Sequence, residues 1–548
     1  MKISSSSRRR ALAAALVFSL TPFAAAGCRY EPPAADVAAK SAHGDGIAWF
    51  EGSVEAAFAK AKAERRPVFL YWGAVWCPPC HILSTKLFTR PEFQARLAST
   101  VPVYLDGDTE RAQIWGEKLE TAGYPTVIVF DADGREVTRL NSLVSVEQYT
   151  AALAAALDAT RPITEVVAAL DAGGTAALSS ADLNLLAFYA YYQDSSLDLD
   201  LAGRRALFDR LWREAPAERR IERSRFLALY VEALASEEEA LPVAATAPEE
   251  RARLEAGVRE ILADRELRST NLDLVLYGAS LASWLAPAPG AERDALVAAW
   301  REAALEVEND ETLTAGERVA ALSAPIALER LDVPDGAEAP PLSPALAAHL
   351  HERIRWAAET VTDDEELQGV MNTMAGLLED AGLAADAKAL LAANVSKTSA
   401  PYYYVGWIAS LEEDAGNKGE AVKLYREAWQ GARGSGSKAG MTPLRWGSTY
   451  LRKATSLTPE AKDAIAIDAA VILGDVLATP DAFAGGNWTR LEAIDGALET
   501  WRGEDPARAA VVKALEAQIG AACADLADAG PDSPGARCNS LLEKKSAA

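Results

Sequence analysis

Two cysteines three residues apart, placed where a buried strand hands over to a helix, constrain this chain more than any other feature. Trp76-Cys77-Pro78-Pro79-Cys80 follows the apolar run Val68-Phe69-Leu70-Tyr71-Trp72 and opens a predicted helix over His81 to Leu87. Strand, short turn and paired sulfurs at a helix start make the geometry of a redox dithiol. Backbone N–H groups and the positive end of the helix dipole favour a thiolate at Cys77. Cys80, one turn on, is close enough to close a disulfide. Cys77 is the candidate nucleophile, and Cys80 the thiol that resolves a mixed disulfide. The structural alternative is zinc, which wants four ligands; the neighbourhood offers only the two cysteines, His43 and His81. No metal is expected.

The pattern around the pair alternates helix and strand from about 47 to 159. Ser53 to Glu64 reads as a helix with Val54, Ala57, Phe58 and Ala61 on one face, and Pro67 to Trp72 as a buried strand. Glu92 to Leu97 continues as helix after a break at Thr89-Arg90-Pro91, Val101 to Leu105 as strand and Thr109 to Glu120 as helix. Thr126 to Phe130 and Glu136 to Leu140 are joined by Asp131-Ala132-Asp133-Gly134, a hairpin signal, and Ser145 to Leu157 closes with a helix. This order gives a mixed sheet covered on both faces.

The W-C-P-P-C motif, the Tyr124-Pro125-Thr126 turn before a strand and the order of elements resemble a thioredoxin-fold domain, over about one fifth of the chain. The Arg65-Arg66-Pro67-Val68 approach is similar to thioredoxin-like domains of exported bacterial proteins, and the Pro-Pro pair to the exported reductases of cytochrome c maturation. The resemblance implies that Pro125 is the cis-proline beside the dithiol. It also implies that the Tyr124 backbone pairs with an extended substrate segment, and that Trp76 shields the dithiol while offering a flat apolar contact. There is one departure. Thioredoxins commonly bury an aspartate six residues before the first cysteine, where this chain has Tyr71; the lysine that often faces it corresponds to Tyr104. Asp106 and Asp108 are expected to cap the next helix, leaving no carboxylate base behind Cys80. His81 is expected to be a partly exposed first-turn residue.

Before this domain lies an address. A basic start and a short apolar stretch, Ala11 to Leu20, end in Ala25-Ala26-Gly27-Cys28. Small residues before a cysteine resemble the bacterial lipoprotein box, which implies a signal over 1–27 and a lipid on Cys28. Arg29 after the cysteine suggests the outer membrane. Residues 28–46 read as a tether, whose Ala-, Pro-, Ser- and Gly-rich stretch Arg29 to Asp45 reaches at most ~55 Å. The two remaining cysteines, Cys523 and Cys538, flank a Gly-Pro-Asp-Ser-Pro connection. An export signal favours a structural disulfide there, closing a loop of about 15 residues and contributing ~3 kcal/mol.

At 548 residues the chain exceeds one core. From 160 to 548 no strand is expected. Amphipathic segments recur instead, among them Leu183 to Tyr192, Arg223 to Leu234, Pro248 to Leu262 and Leu346 to Glu359. Glu379-Asp380-Ala381-Gly382 returns 34 residues later as Glu413-Asp414-Ala415-Gly416, with Ala387 meeting Ala421 and Leu391 meeting Tyr425. That period resembles tetratricopeptide repeats around 365–435, and an all-α, solenoid-like array is the economical architecture. The Tyr402-Tyr403-Tyr404 run reads as core packing, with a peptide groove as the alternative. A net charge of −24 argues against nucleic acid.

The expectation is a lipid-anchored, extracytoplasmic thiol–disulfide oxidoreductase. It has no cofactor beyond the Cys77–Cys80 dithiol. Its partners are exported protein thiols or disulfides and a membrane or periplasmic redox protein, and the helical region binds or positions a partner. The rival expectation is a helical scaffold with the thioredoxin-like domain as a redox-responsive clasp.

Overall fold

The computed structural model describes residues 46–543 apart from short stretches at 110–111, 141–145, 159–160, 194–196, 236–244, 335–336, 338, 436–440, 480, 525, 527–529 and 531–532. The expected signal, Cys28, His43 and all of the tether but Gly46 lie outside the described residues.

The N-terminal part runs α1 (Val54–Glu64), β1 (Val68–Gly73), α2 (Pro78–Ile82), α3 (Pro91–Leu97), β2 (Val101–Asp106), α4 (Ala112–Lys118), β3 (Thr126–Phe130), β4 (Glu136–Leu140) and α5 (Val146–Asp158). Ser53 caps α1 by accepting from the Ala56 N–H. The strands form one sheet in the order β2-β1-β3-β4, with β1 and β2 parallel and the other neighbours antiparallel. Alternate side chains sort to opposite faces. Val68, Leu70 and Trp72 pack with α1 residues Val54, Ala57 and Ala61 on one side. Phe69 and Tyr71 join Phe88, Phe93 and Tyr149 on the other. The sheet is mixed and covered on both faces. The resemblance puts Tyr71 where an aspartate is common; Tyr71 is the register partner of Tyr104, and their rings stack at 5.3 Å.

From Ile163 onward the described residues form helices and their connections, and their sole β contact is an isolated bridge between Tyr189 and Leu140 of β4. That bridge corrects one expectation. A helix was predicted to reach Tyr192, but it runs Ser180–Phe188, started by a Ser179/Asp182 capping box. The chain then leaves the helix so that the Ala190 N–H can bond the Arg139 carbonyl at 3.1 Å.

The 34-residue shift marks two helical hairpins, Asp364–Asp380 with Ala384–Asn394 and Pro401–Asp414 with Lys418–Gly434. Their turns close alike. Gly382 (φ +77°) and Gly416 (φ +81°) take the left-handed conformation. In each turn the following residue's N–H reaches back five positions, Leu383 to the Leu378 carbonyl and Asn417 to the Glu412 carbonyl. Ala387, Ala421 and Leu391 are buried.

The helical region is not a free tail. One continuous apolar cluster joins the Phe69/Tyr71 face of the sheet to Leu186 and Phe208 of the early helices and to Tyr402, Trp446 and Leu473 of the late ones. The array returns to the sheet domain from both ends. Cys523 and Cys538 are bonded, with Cα atoms 5.6 Å apart, and tie helix Pro506–Cys523 to helix Pro534–Glu543. No helix among the described residues is long and apolar enough to cross a membrane.

Candidate functional site

α2 starts at Pro78, three residues earlier than predicted, with Cys77 at its N-cap, because Pro78 and Pro79 fit the first helical turn, where N–H donors would go unused. The Cys77 sulfur accepts from the Cys80 N–H at 3.2 Å and is bonded to Cys80 Sγ, with Cα atoms 5.2 Å apart. The predicted continuation to Leu87 exists, but as a π-helical turn over Leu83–Leu87. Tyr124-Pro125 is a cis peptide bond.

The late helices cover this site. The Trp76 ring is only 7 % exposed. It stacks on Tyr403 at 5.9 Å and meets Trp446 and Tyr124 edge-on at 5.2 Å and 5.6 Å. The flat contact that the resemblance implies for a substrate is occupied here by the chain's own helices. Tyr124 also stacks on Trp72 at 5.6 Å, and the Arg445 guanidinium lies over both Trp76 (4.5 Å) and Tyr124 (5.6 Å).

One expectation is corrected. His81 is buried, not partly exposed: its Nε2 lies 2.9 Å from the Val75 carbonyl and 2.9 Å from Gln368 Nε2. The helix start that Asp108 is expected to cap includes residues 110–111, which lie outside the described residues; Asp108 itself is buried. Its carboxylate accepts from Trp76 Nε1 and from the Thr442 hydroxyl of the array, and lies 3.4 Å from the Tyr124 hydroxyl. It thereby links the residue before Cys77, the residue before the cis-proline and a late helix. Asp106 accepts from the Asp108 N–H at 3.0 Å. Burial, then the neighbouring Asp108 charge, pushes its pKa up to about 7.

Helix Asp364–Asp380 clamps the other side of the dithiol helix. Gly369 allows that approach, since a Cβ there would stand 2.7 Å from Ile82 Cγ1 and 3.2 Å from the Pro78 carbonyl oxygen. Lys86 and Glu366 pair at 2.6 Å along the same contact.

Covering does not close the site. A cleft of about 1010 Å³ runs between the sheet domain and the late helices, lined by Cys77, Pro78, Tyr124, Arg445, Thr489 and Arg490 among others. Both cysteines are buried, and of the two it is Cys77 that lines the cleft. Among the described residues no group of three or more His, Cys, Asp or Glu side chains is placed to hold a metal ion. The arrangement can pass two electrons between this sulfur pair and a second disulfide or dithiol.

Gln368, Gly369 and Arg445 gave no local signal in the sequence; Asp108 was in view, but a helix cap was the simpler role for an acid just before a helix.

Comparison with known proteins places the same segment in a wider group. Residues 54–157 match the family described as a thioredoxin-like domain. Curated relatives named thiol:disulfide interchange protein DsbD share this stretch. The one from Yersinia pestis (strain Pestoides F) is 30 % identical over 94 residues, 16 % of each chain. The one from Salmonella paratyphi A is 34 % identical over 80 residues, 14 % of each chain. The one from Yersinia enterocolitica is 36 % identical over 87 residues, 15 % of this chain and 14 % of the relative. The match therefore spans about one sixth of the length of these relatives. The chain thus combines a thioredoxin-like domain with a largely helical C-terminal region.

Proposed function

We propose that this chain is an extracytoplasmic thiol–disulfide oxidoreductase that works on protein sulfurs through Cys77 and Cys80. The observation that carries the reading is a bonded cysteine pair at a helix start, in a thioredoxin-like domain, with Cys77 facing an open cleft. In the reducing direction the Cys77 thiolate attacks a partner S–S bond, which breaks as a mixed disulfide forms and one partner thiolate leaves. The Cys80 thiolate then attacks Cys77 Sγ, the second partner thiolate leaves, and the pair is oxidised by two electrons. Oxidation is the same path reversed. No other cofactor is needed, and electrons pass to or from another membrane or periplasmic dithiol.

The same reading makes 1–27 a lipoprotein signal and Cys28 the lipidated residue at the periplasmic face, with the outer membrane as destination. The hairpins around 365–435 act as tetratricopeptide-like units in an array that holds the catalytic domain and receives a partner. The Tyr124 backbone pairs with the substrate segment.

The clamp on α2 supports a second reading, in which the helical array is the working part and the dithiol its redox-responsive clasp. Insulin disulfide reduction decides between them. Cys77→Ser should lose at least about 100-fold in rate, since the attacking thiolate is gone; equal rates would leave the scaffold reading. Cys80→Ala should stall mixed disulfides and retain the physiological partner for identification.

A further inference from the structure

The wall of the cleft carries a charge opposite to that of the chain. Four arginines line it, Arg445, Arg452, Arg490 and Arg537, against two glutamates, Glu117 and Glu120. One glutamate is already engaged: Arg537 donates to both Glu117 oxygens, at 2.6 and 2.9 Å. Arg445 and Arg452 stand on the same wall, in a protein of net charge −24.

Two of these arginines are held ready. Arg445 lies over the Trp76 ring, which places its charge beside the residue preceding Cys77. Its Nε is buried without a hydrogen-bond partner. Neither Arg445 nor the exposed Arg452 has a carboxylate within ion-pair distance among the described residues. Arg490 stands close by, and burial followed by the like charge of Arg445 pushes its pKa down to about 10. It still carries its proton at neutral pH. Cations crowded at the mouth of a partly desolvated cleft are relieved by a bound anion, and guanidinium groups hold carboxylates well.

Shape narrows the ligand further. Tyr403 and Trp446 sit on the Trp76 face that a folded partner would approach. What reaches Cys77 must enter through a cleft of about 1010 Å³, room for a small molecule or a few extended residues.

We propose that the cleft selects a cysteinyl disulfide on a short, extended, acidic peptide segment, whose carboxylates meet Arg445 and Arg452 while its sulfur meets Cys77. The proposal rests on the redox reading above. Cys77 thiolate attacks the peptide sulfur, the peptide S–S bond breaks and its other half leaves as a thiolate. Cys80 then displaces the bound peptide as a thiolate and closes the Cys77–Cys80 bond, so the protein loses the two electrons the peptide disulfide gains.

The test uses the full chain reduced with dithiothreitol and freed of it, mixed with symmetrical disulfides of two matched hexapeptides. In one the cysteine is flanked by glutamates, in the other by lysines; uncharged dithiodipyridine is the reference. At low salt the glutamate peptide should react at least about 10-fold faster, and the ratio should shrink towards one in 1 M salt. Arg452→Gln, an exposed position, should lower the glutamate-to-lysine ratio at least about threefold. A ratio at or below one, or a ratio unchanged in Arg452→Gln, overturns the proposal while reaction with dithiodipyridine leaves the redox reading standing. If dithiodipyridine oxidises the protein no faster than it reacts with Cys77→Ser, the redox reading fails and the proposal with it.

Discussion

The two disulfides of this chain lie in regions that differ less in bond burial than in what surrounds the bond. Cys77 and Cys80 are 2 % and 1 % exposed, Cys523 and Cys538 7 % and 0 %. Loop length separates them little too: chain entropy assigns about 2 kcal/mol to a bridge across three residues and about 3 kcal/mol to one across 15. The helix ends separate them. Cys77 caps the N-terminus of its helix, where N–H groups and the positive dipole end favour a thiolate; Cys523 is the last residue of its helix, where carbonyls oppose one. Cys77 also faces a cleft. A sulfur pair becomes reactive through its position on a helix and its access to a partner, and the same bond elsewhere is a staple.

The sharpest way to break this contrast is partial reduction. With limiting dithiothreitol followed by iodoacetamide, mass spectrometry should find Cys77 alkylated on the order of 100-fold more than Cys523 or Cys538; equal labelling would erase the distinction. Next in size, Cys523→Ala with Cys538→Ala should lower unfolding stability by about 3 kcal/mol in urea denaturation while insulin reduction persists. A parallel loss of activity would make the distal bridge more than a staple. Smallest per pH unit is the effect at Asp106, on the sheet side of the site. Its carboxyl rises from the ordinary 3.8 to about 7 in the folded protein. Between those values the native state holds the proton and the unfolded state does not, so stability should fall as pH rises through that window. The slope is at most about 1.4 kcal/mol per pH unit. Asp106→Asn should flatten it, and an unchanged slope would show that another group titrates there.

Local pattern carried the sheet domain well. β3 and β4 have the ends that alternation and the Asp-Gly turn predict, Thr126–Phe130 and Glu136–Leu140, because both strands are short and bounded by turn residues. The cysteine pair was legible for the same reason: strand, turn and helix are contiguous. What escaped depends on contacts between distant residues. His81 reads as an exposed first-turn residue until Gln368, 287 positions away, is brought against it. Asp108 reads only as a cap, and nothing local announces that Trp76 and Thr442 converge on it. The basic wall of the cleft is invisible in an acidic composition, since its arginines come from helices more than 350 residues beyond Cys77 and meet only in three dimensions. Helix ends failed where tertiary bonds beat propensity, as at Tyr189.

Trp76 lies under a roof of rings contributed by residues 403 and 446. Cutting the chain after residue 159 would strip that roof away and leave a bare aromatic face beside the dithiol, the kind of surface that draws copies together. The distant helices are thus a solubilising coat for the domain they cover, and the catalytic segment, though only a fifth of the chain, is not a portable module.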